Sequence, residues 1–196
     1  MPEAYDLCLA SASPRRLALL QQLGLRCQQY PVDLDESVLV GESPKDYVIR
    51  LAEEKATAGM QRSGTTLPVL GSDTSVVLGH NILGKPENEA HAIEMLMQLS
   101  GQSHQVMTAV AVCQNDQLRS VLSTTEVKFR TLTEQECRRY WHTGEPADKA
   151  GSYAIQGLAA IFVESVSGSY SNVVGLPLFE TAQLLESFNI QILESD

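Results

Sequence analysis

The stretch LCLASASPRRLALL, residues 7–20, decides the fold. Leu7, Cys8, Leu9 and Ala10 read as the end of a buried strand. From Arg16 on, Leu17, Leu20 and Leu23 lie along one side of a helix that Gly24 stops. Ser13 is then the N-cap, and Pro14 takes the first helical position, where a missing N–H costs nothing. A strand therefore runs through a small-residue turn into a helix. Arg15 and Arg16 fall in the first turn, at the positive end of the helix dipole, where a cation is unfavourable by roughly 0.3–1 kcal/mol. An anion would resolve the conflict, because free N–H groups, the Ser11 and Ser13 hydroxyls and two guanidinium forks all match phosphate oxygens. Pairing of both arginines with acids elsewhere is the competing explanation.

Strand and helix keep alternating outward from this unit. Residues 5–10 read as strand, 14–23 as helix and 26–32 as strand. A helix follows from Ser43 to about Met60, opened by a capping box at Ser43-Pro44-Lys45-Asp46, with Tyr47, Val48, Leu51 and Ala52 on one face. Residues 67–78 read as a strand interrupted by GSDTS, and 87–99 as an amphipathic helix. Residues 104–112 and 118–130 form a long hairpin turning at Asn115-Asp116. Thr133 caps a helix to about His142, a glycine-rich region follows, 159–166 is strand, and 176–188 is a closing helix. The expectation is one domain over residues 1–196, a mixed α/β fold with a central cleft between two lobes.

Composition narrows the class. With 43% hydrophobic and 19% charged residues over 196, the chain is ordinary for a soluble globular protein. Its start, MPEAYDLC, lacks the basic and apolar segments of an export signal, and no apolar run approaches the ~20 residues that span a bilayer. Cys8, Cys27, Cys113 and Cys137 show no CxxC pairing and read as reduced thiols of a cytoplasmic enzyme. A net charge of −10 argues against a nucleic-acid binder.

Residues 79–86, GHNILGKP, nearly satisfy the P-loop pattern but end in Pro86, which has no hydroxyl for a metal, so a hairpin turn is the better reading. The four histidines have no metal-ligand spacing. Three charged residues violate their surroundings instead. Asp73 lies in the apolar run VLGSDTSVVL, where an unpaired carboxylate costs several kcal/mol; it either faces a cleft beside a cation or metal, or sits in a turn beside Gly71. Lys55 projects from the apolar helix face and either snorkels or points into a cleft. Glu36, in the loop VDLDES, is either a solvated acid or an oxygen ligand for a hard cation.

Taken in order, ASASPRR, Asp35-Glu36, Glu54-Lys55-Ala56, GSDT, GKP, SGQ with VMTAVAV, KAGSYAIQG and VVGLPL resemble the Maf family of nucleoside triphosphate pyrophosphatases from about residue 7 to 188. The resemblance implies a bent mixed β-sheet with flanking helices and two lobes around a deep cleft, similar to inosine triphosphatase-like folds. It also implies a cytoplasmic homodimer that acts on a nucleoside triphosphate with a divalent metal, Mg²⁺ or Mn²⁺, and binds neither nucleic acid nor membrane. Asp73 would be the proton acceptor, and Glu36 and Asp73 the metal ligands. Ser11, Ser13, Arg15, Lys55 and Lys85 would contact the phosphates.

Substrate choice, by the same resemblance, rests on Arg16, Thr74 and Gln156, which match the branch acting on dTTP and UTP. Gln156 offers both a donor and an acceptor, as the imide edge of uracil or thymine requires. Ser72 departs from that branch, which often has Ala there. The alternatives are a 7-methyl-GTP pyrophosphatase and a non-catalytic, nucleotide-sensing regulator of cell division.

Overall fold

Leu7, Cys8 and Leu9 are wholly shielded from solvent, so their backbone groups must find partners in a ladder. They do so on both sides. This first strand, β1 (Leu7–Leu9), pairs in parallel with β2 (Cys27–Gln29) and with β3 (Val69–Leu78). The computed structural model describes residues 5–193, and the reading of residues 1–4 as lacking an export signal lies outside it. Among the described residues seven strands form one mixed sheet in the order β2-β1-β3-β5-β6-β7, with β4 (Asn81–Leu83) antiparallel to the end of β3. A two-residue turn at Asn115 and Asp116 joins β5 (Ser103–Gln114) to β6 (Gln117–Phe129); Asn115 adopts φ +52° there, and β7 (Val163–Ser167) runs antiparallel to β6.

Among the described residues six α-helices accompany the strands: α1 (Pro14–Gln22), α2 (Pro44–Ser63), α3 (Glu89–Leu99), α4 (Glu134–Trp141), α5 (Tyr170–Val174) and α6 (Leu178–Glu186). Ser13 caps α1 as its sequence predicts, accepting from Arg16 N–H, with Pro14 at the first helical position. Among the described residues no helix is long and apolar enough to cross a membrane.

The chain forms two compact units. Of the described residues, one contains those up to Asp73, Thr108–Ser123 and those from Gly175 to Leu193; the other contains Thr74–Met107 and Thr124–Val174. In the first, Cys8, Ala10 and Val69 form a buried cluster with Tyr30, Val32 and Met60 against it. In the second, His104 and Tyr153 stand edge-on to the buried Phe129 at 5.0 and 4.8 Å, and His104 Nε2 lies 2.8 Å from Tyr153 Oη. Burial pulls the His104 pKa down to about 4. All four cysteines are free thiols. Burial raises each pKa, Cys27 to about 12 and Cys137 to about 11.

Four expectations need correction. GSDTS does not interrupt its strand: β3 runs unbroken because Ser72 and Asp73, though polar, find partners without leaving the ladder. Ser43 accepts from Asp46 N–H (3.2 Å), but Asp46 returns to the Ser43 hydroxyl (2.6 Å). Its short side chain does not close the reciprocal box that Glu136 completes on Thr133 at the start of α4. Residues 158–162 form a 3-10 turn, because Glu145 accepts the N–H groups of Leu158 and Ala159, and pairing with β6 begins only at Val163. The closing helix starts at Leu178, after Pro177, with the short α5 before it.

Candidate active site

Strand alternation places Gly71 and Asp73 on one face of β3. That face carries α2 close against the strand: a Cβ at Gly71 would lie 2.4 Å from both Ala52 O and Ala56 N, and 3.0 Å from Lys55 Cβ. Only glycine lets the helix backbone approach this far. Lys55 then emerges beside Asp73, one turn after buried Leu51, and both charged residues are only 8% exposed. The Lys55 Nζ donates to Asp73 Oδ1 at 2.8 Å and lies 2.6 Å from Glu36 Oε1. Thus three of the residues singled out from the sequence converge on one ammonium. Lys55 neither snorkels to solvent nor leaves Asp73 unpaired.

The loop carrying Glu36 is held by the same helix. Tyr47 donates its hydroxyl to Glu36 O (2.9 Å), and Arg50 donates to Ser37 O (3.1 Å) and Glu42 Oε1 (2.6 Å). The Arg50 bond brings the Glu42 pKa down to about 2. Burial, with Asp73 and Glu36 nearby, pushes Tyr47 up to about 12. Neither Arg50 nor the loop contact of Tyr47 was evident in the sequence, although their spacing of three places them on adjacent turns of one helix.

At the start of α1, Ser11 Oγ accepts from Ser13 N–H (3.1 Å) and from Arg16 Nη1 (3.3 Å). Arg16 Nε donates to Gly175 O (3.0 Å), and Ser72 Oγ donates to the same carbonyl (3.4 Å). Burial lowers the Arg16 pKa, the charge of Asp73 raises it, that of Arg15 lowers it, and that of Glu36 raises it. Arg15 is half-buried in the first turn. Ser72, where the resemblance leads one to expect Ala, is fully buried.

Three further positions belong to the second unit. Thr74 follows Asp73 in β3 and is half-buried, Lys85 is exposed just after β4, and Gln156 is exposed in a turn ahead of the 3-10 segment. Residues 79–84 form the expected hairpin between β3 and β4.

Among the described residues no group of three or more His, Cys, Asp or Glu could hold a metal ion. Glu36 and Asp73 nonetheless supply oxygen donors that meet at one cationic point, the Lys55 Nζ. A hard divalent cation that draws its remaining ligands from water and phosphate needs no more than one or two protein carboxylates, and this pair fits it.

A family model described as "Maf-like protein" matches residues 6–188. The chain belongs to the Maf family. The Maf match runs from the residue before β1 to just past α6, and so encloses every position described above. Proteins named dTTP/UTP pyrophosphatase are similar over nearly the full length. That of Saccharophagus degradans is 52% identical over 193 residues, 97% of this chain and 92% of its own. That of Pseudoalteromonas translucida is 54% identical over 180 residues, 92% and 95% of the two chains. That of Escherichia coli O157:H7 is 50% identical over 184 residues, 94% and 93%. Among solved structures, a dITP/XTP pyrophosphatase from Mycobacterium abscessus matches 63% of this chain and 72% of its own, with TM-score 0.42 and 18% identity. The Staphylococcus aureus Ham1 protein matches 63% and 71%, with TM-score 0.44 and 14% identity.

Proposed function

We propose that this Maf-family protein, acting as one domain, hydrolyses dTTP and UTP to the nucleoside monophosphate and pyrophosphate. The carrying observation is the Lys55 ammonium held between Asp73 and Glu36, in a chain about half identical to dTTP/UTP pyrophosphatases over nearly its whole length. A nucleotide binder without turnover has no need of a carboxylate as a base.

In this reading a water oxygen attacks the α-phosphorus, the bond from that phosphorus to the bridging oxygen breaks, and pyrophosphate leaves. Asp73 accepts the proton that the water gives up. Glu36 and Asp73 would hold the divalent cation, which when bound lowers the pKa of water and neutralises phosphate charge. Phosphate contacts are assigned to Ser11, Ser13, Arg15, Lys55 and Lys85, whose charge and hydroxyl donors favour the negative charge gathering on the leaving group. No nucleophilic side chain is required. Gln156 reads the imide edge of the base, donating to one carbonyl and accepting from N3–H, and Arg16 and Thr74 complete the discrimination. The protein is proposed to work as a homodimer in the cytoplasm, without nucleic-acid or membrane partners.

The deciding experiment is pyrophosphate release from dTTP, UTP, dCTP, GTP and 7-methyl-GTP with Mg²⁺ or Mn²⁺. Preferred turnover of dTTP and UTP is expected, lost with EDTA, restored by the metal and abolished in Asp73→Asn. Preference for 7-methyl-GTP would overturn the roles of Thr74 and Gln156. Binding without hydrolysis of any triphosphate would overturn the enzymatic reading.

A further inference from the structure

Gln156 sits in a turn whose two ends are tied to one pair of side chains. Ahead of it, Ala154 N–H donates to Tyr140 Oη at 3.2 Å, and Gly157 N–H closes the turn onto Ala154 O at 3.0 Å. Beyond it, Leu158 N–H donates to Glu145 Oε2 at 2.9 Å and Ala159 N–H to Glu145 Oε1 at 3.4 Å. The Tyr140 hydroxyl donates in turn to Glu145 Oε1 at 2.6 Å, so phenol and carboxylate join into one clamp around Gln156. Burial, reinforced by that bond, raises the Tyr140 pKa and keeps the phenol a donor.

Gly157 explains how the carboxylate gets so near. Its backbone is extended, φ −107° and ψ −152°, which any residue can adopt, so left-handed freedom is not why glycine stands here. A Cβ would instead lie 2.2 Å from Glu145 Oε2 and 2.4 Å from Oε1. The missing side chain is the space the carboxylate occupies.

We infer that Glu145, with Tyr140 and Gly157, is the positioning element for base recognition, fixing the Gln156 turn so that its amide meets the pyrimidine edge in one orientation. Glu145 reaches no substrate atom in this role; it acts through the backbone N–H groups that follow Gln156. The inference rests on the proposed part of Gln156 in choosing dTTP and UTP.

The test is the ratio of kcat/KM for dTTP to that for dCTP, measured within each preparation so that any unfolded fraction cancels. The proteins are the wild type, Gln156→Ala, Glu145→Gln, Gly157→Ala and the double variant Glu145→Asp/Gly157→Ala. Glu145→Gln sets an amide N–H₂ against the Leu158 or Ala159 N–H, and Gly157→Ala expels the carboxylate. Each is expected to lower the ratio about tenfold, the size of a misplaced polar recognition contact, with the dTTP loss falling on KM. The shorter Asp makes room for the Ala methyl, so the double variant regains most of the ratio lost in Gly157→Ala. Ratios within about twofold of the wild type in both single variants, while Gln156→Ala still loses discrimination, overturn the positioning role alone. A wild type that hydrolyses neither nucleotide, or a Gln156→Ala that keeps the ratio, overturns the functional reading beneath it.

Discussion

Removing Lys55 and removing Asp73 have different consequences, because each leaves a different charge unpaired. Lys55→Met takes away the ammonium bonded to the buried Asp73 carboxylate, and breaking a buried pair in this way costs about 3–5 kcal/mol. Asp73→Asn leaves the ammonium still 2.6 Å from the half-exposed Glu36, and the amide oxygen can accept in place of the carboxylate. Its stability loss is expected to stay below about 2 kcal/mol. Urea unfolding of the two variants should separate them clearly, and equal losses would sink this account of the charge balance. Both residues were legible in the sequence, since a charge among apolar neighbours breaks a pattern. Tyr140 and Glu145 were not. They act on backbone N–H groups, which every residue carries and no residue type advertises.

At the scale of elements, the approach of α2 to β3 sets the distance from Lys55 to Asp73. Gly71→Ala pushes a methyl into helix backbone at 2.4 Å, where no side-chain rotation can relieve it. A destabilisation of about 3 kcal/mol is expected, together with lost turnover as Lys55 is carried away from Asp73. Thermal unfolding paired with pyrophosphate release would check this; an active, fully stable Gly71→Ala would contradict the packing described here. The elements with strong punctuation, α1 with Ser13-Pro14 and the hairpin at Asn115-Asp116, were readable in advance. GSDTS was misread because polar residues usually end strands, and here their partners lie on neighbouring elements far away in sequence, at Lys55 and Gly175. The 3-10 turn after Gln156 was equally hidden, since a carboxylate more than ten residues away holds it.

For the whole molecule, pH dependence follows from His104. Its folded pKa of about 4 lies below the ordinary 6.5 because burial disfavours the cation. Between these values the unfolded chain binds more protons than the folded one, so stability rises with pH across this window. It is fully present above about pH 6.5 and falls by about 3 kcal/mol on descending to pH 4. Denaturant unfolding at pH 7 and pH 4.5 should show the drop, and His104→Gln should show less of it. An undiminished drop in that variant would assign it to other groups.

The four thiols bear on how the protein can be handled. With pKa values raised as far as about 11 and 12, Cys137 and Cys27 expose at neutral pH no more than about one thiolate in ten thousand. Maleimides and iodoacetamide therefore meet little thiolate at these two positions, and Cys8 and Cys113 are buried. A single Leu158→Cys, exposed and two residues from Gln156, would carry a fluorophore almost alone, and the optical signal of an arriving nucleotide could be read from a protein that keeps all four of its own cysteines.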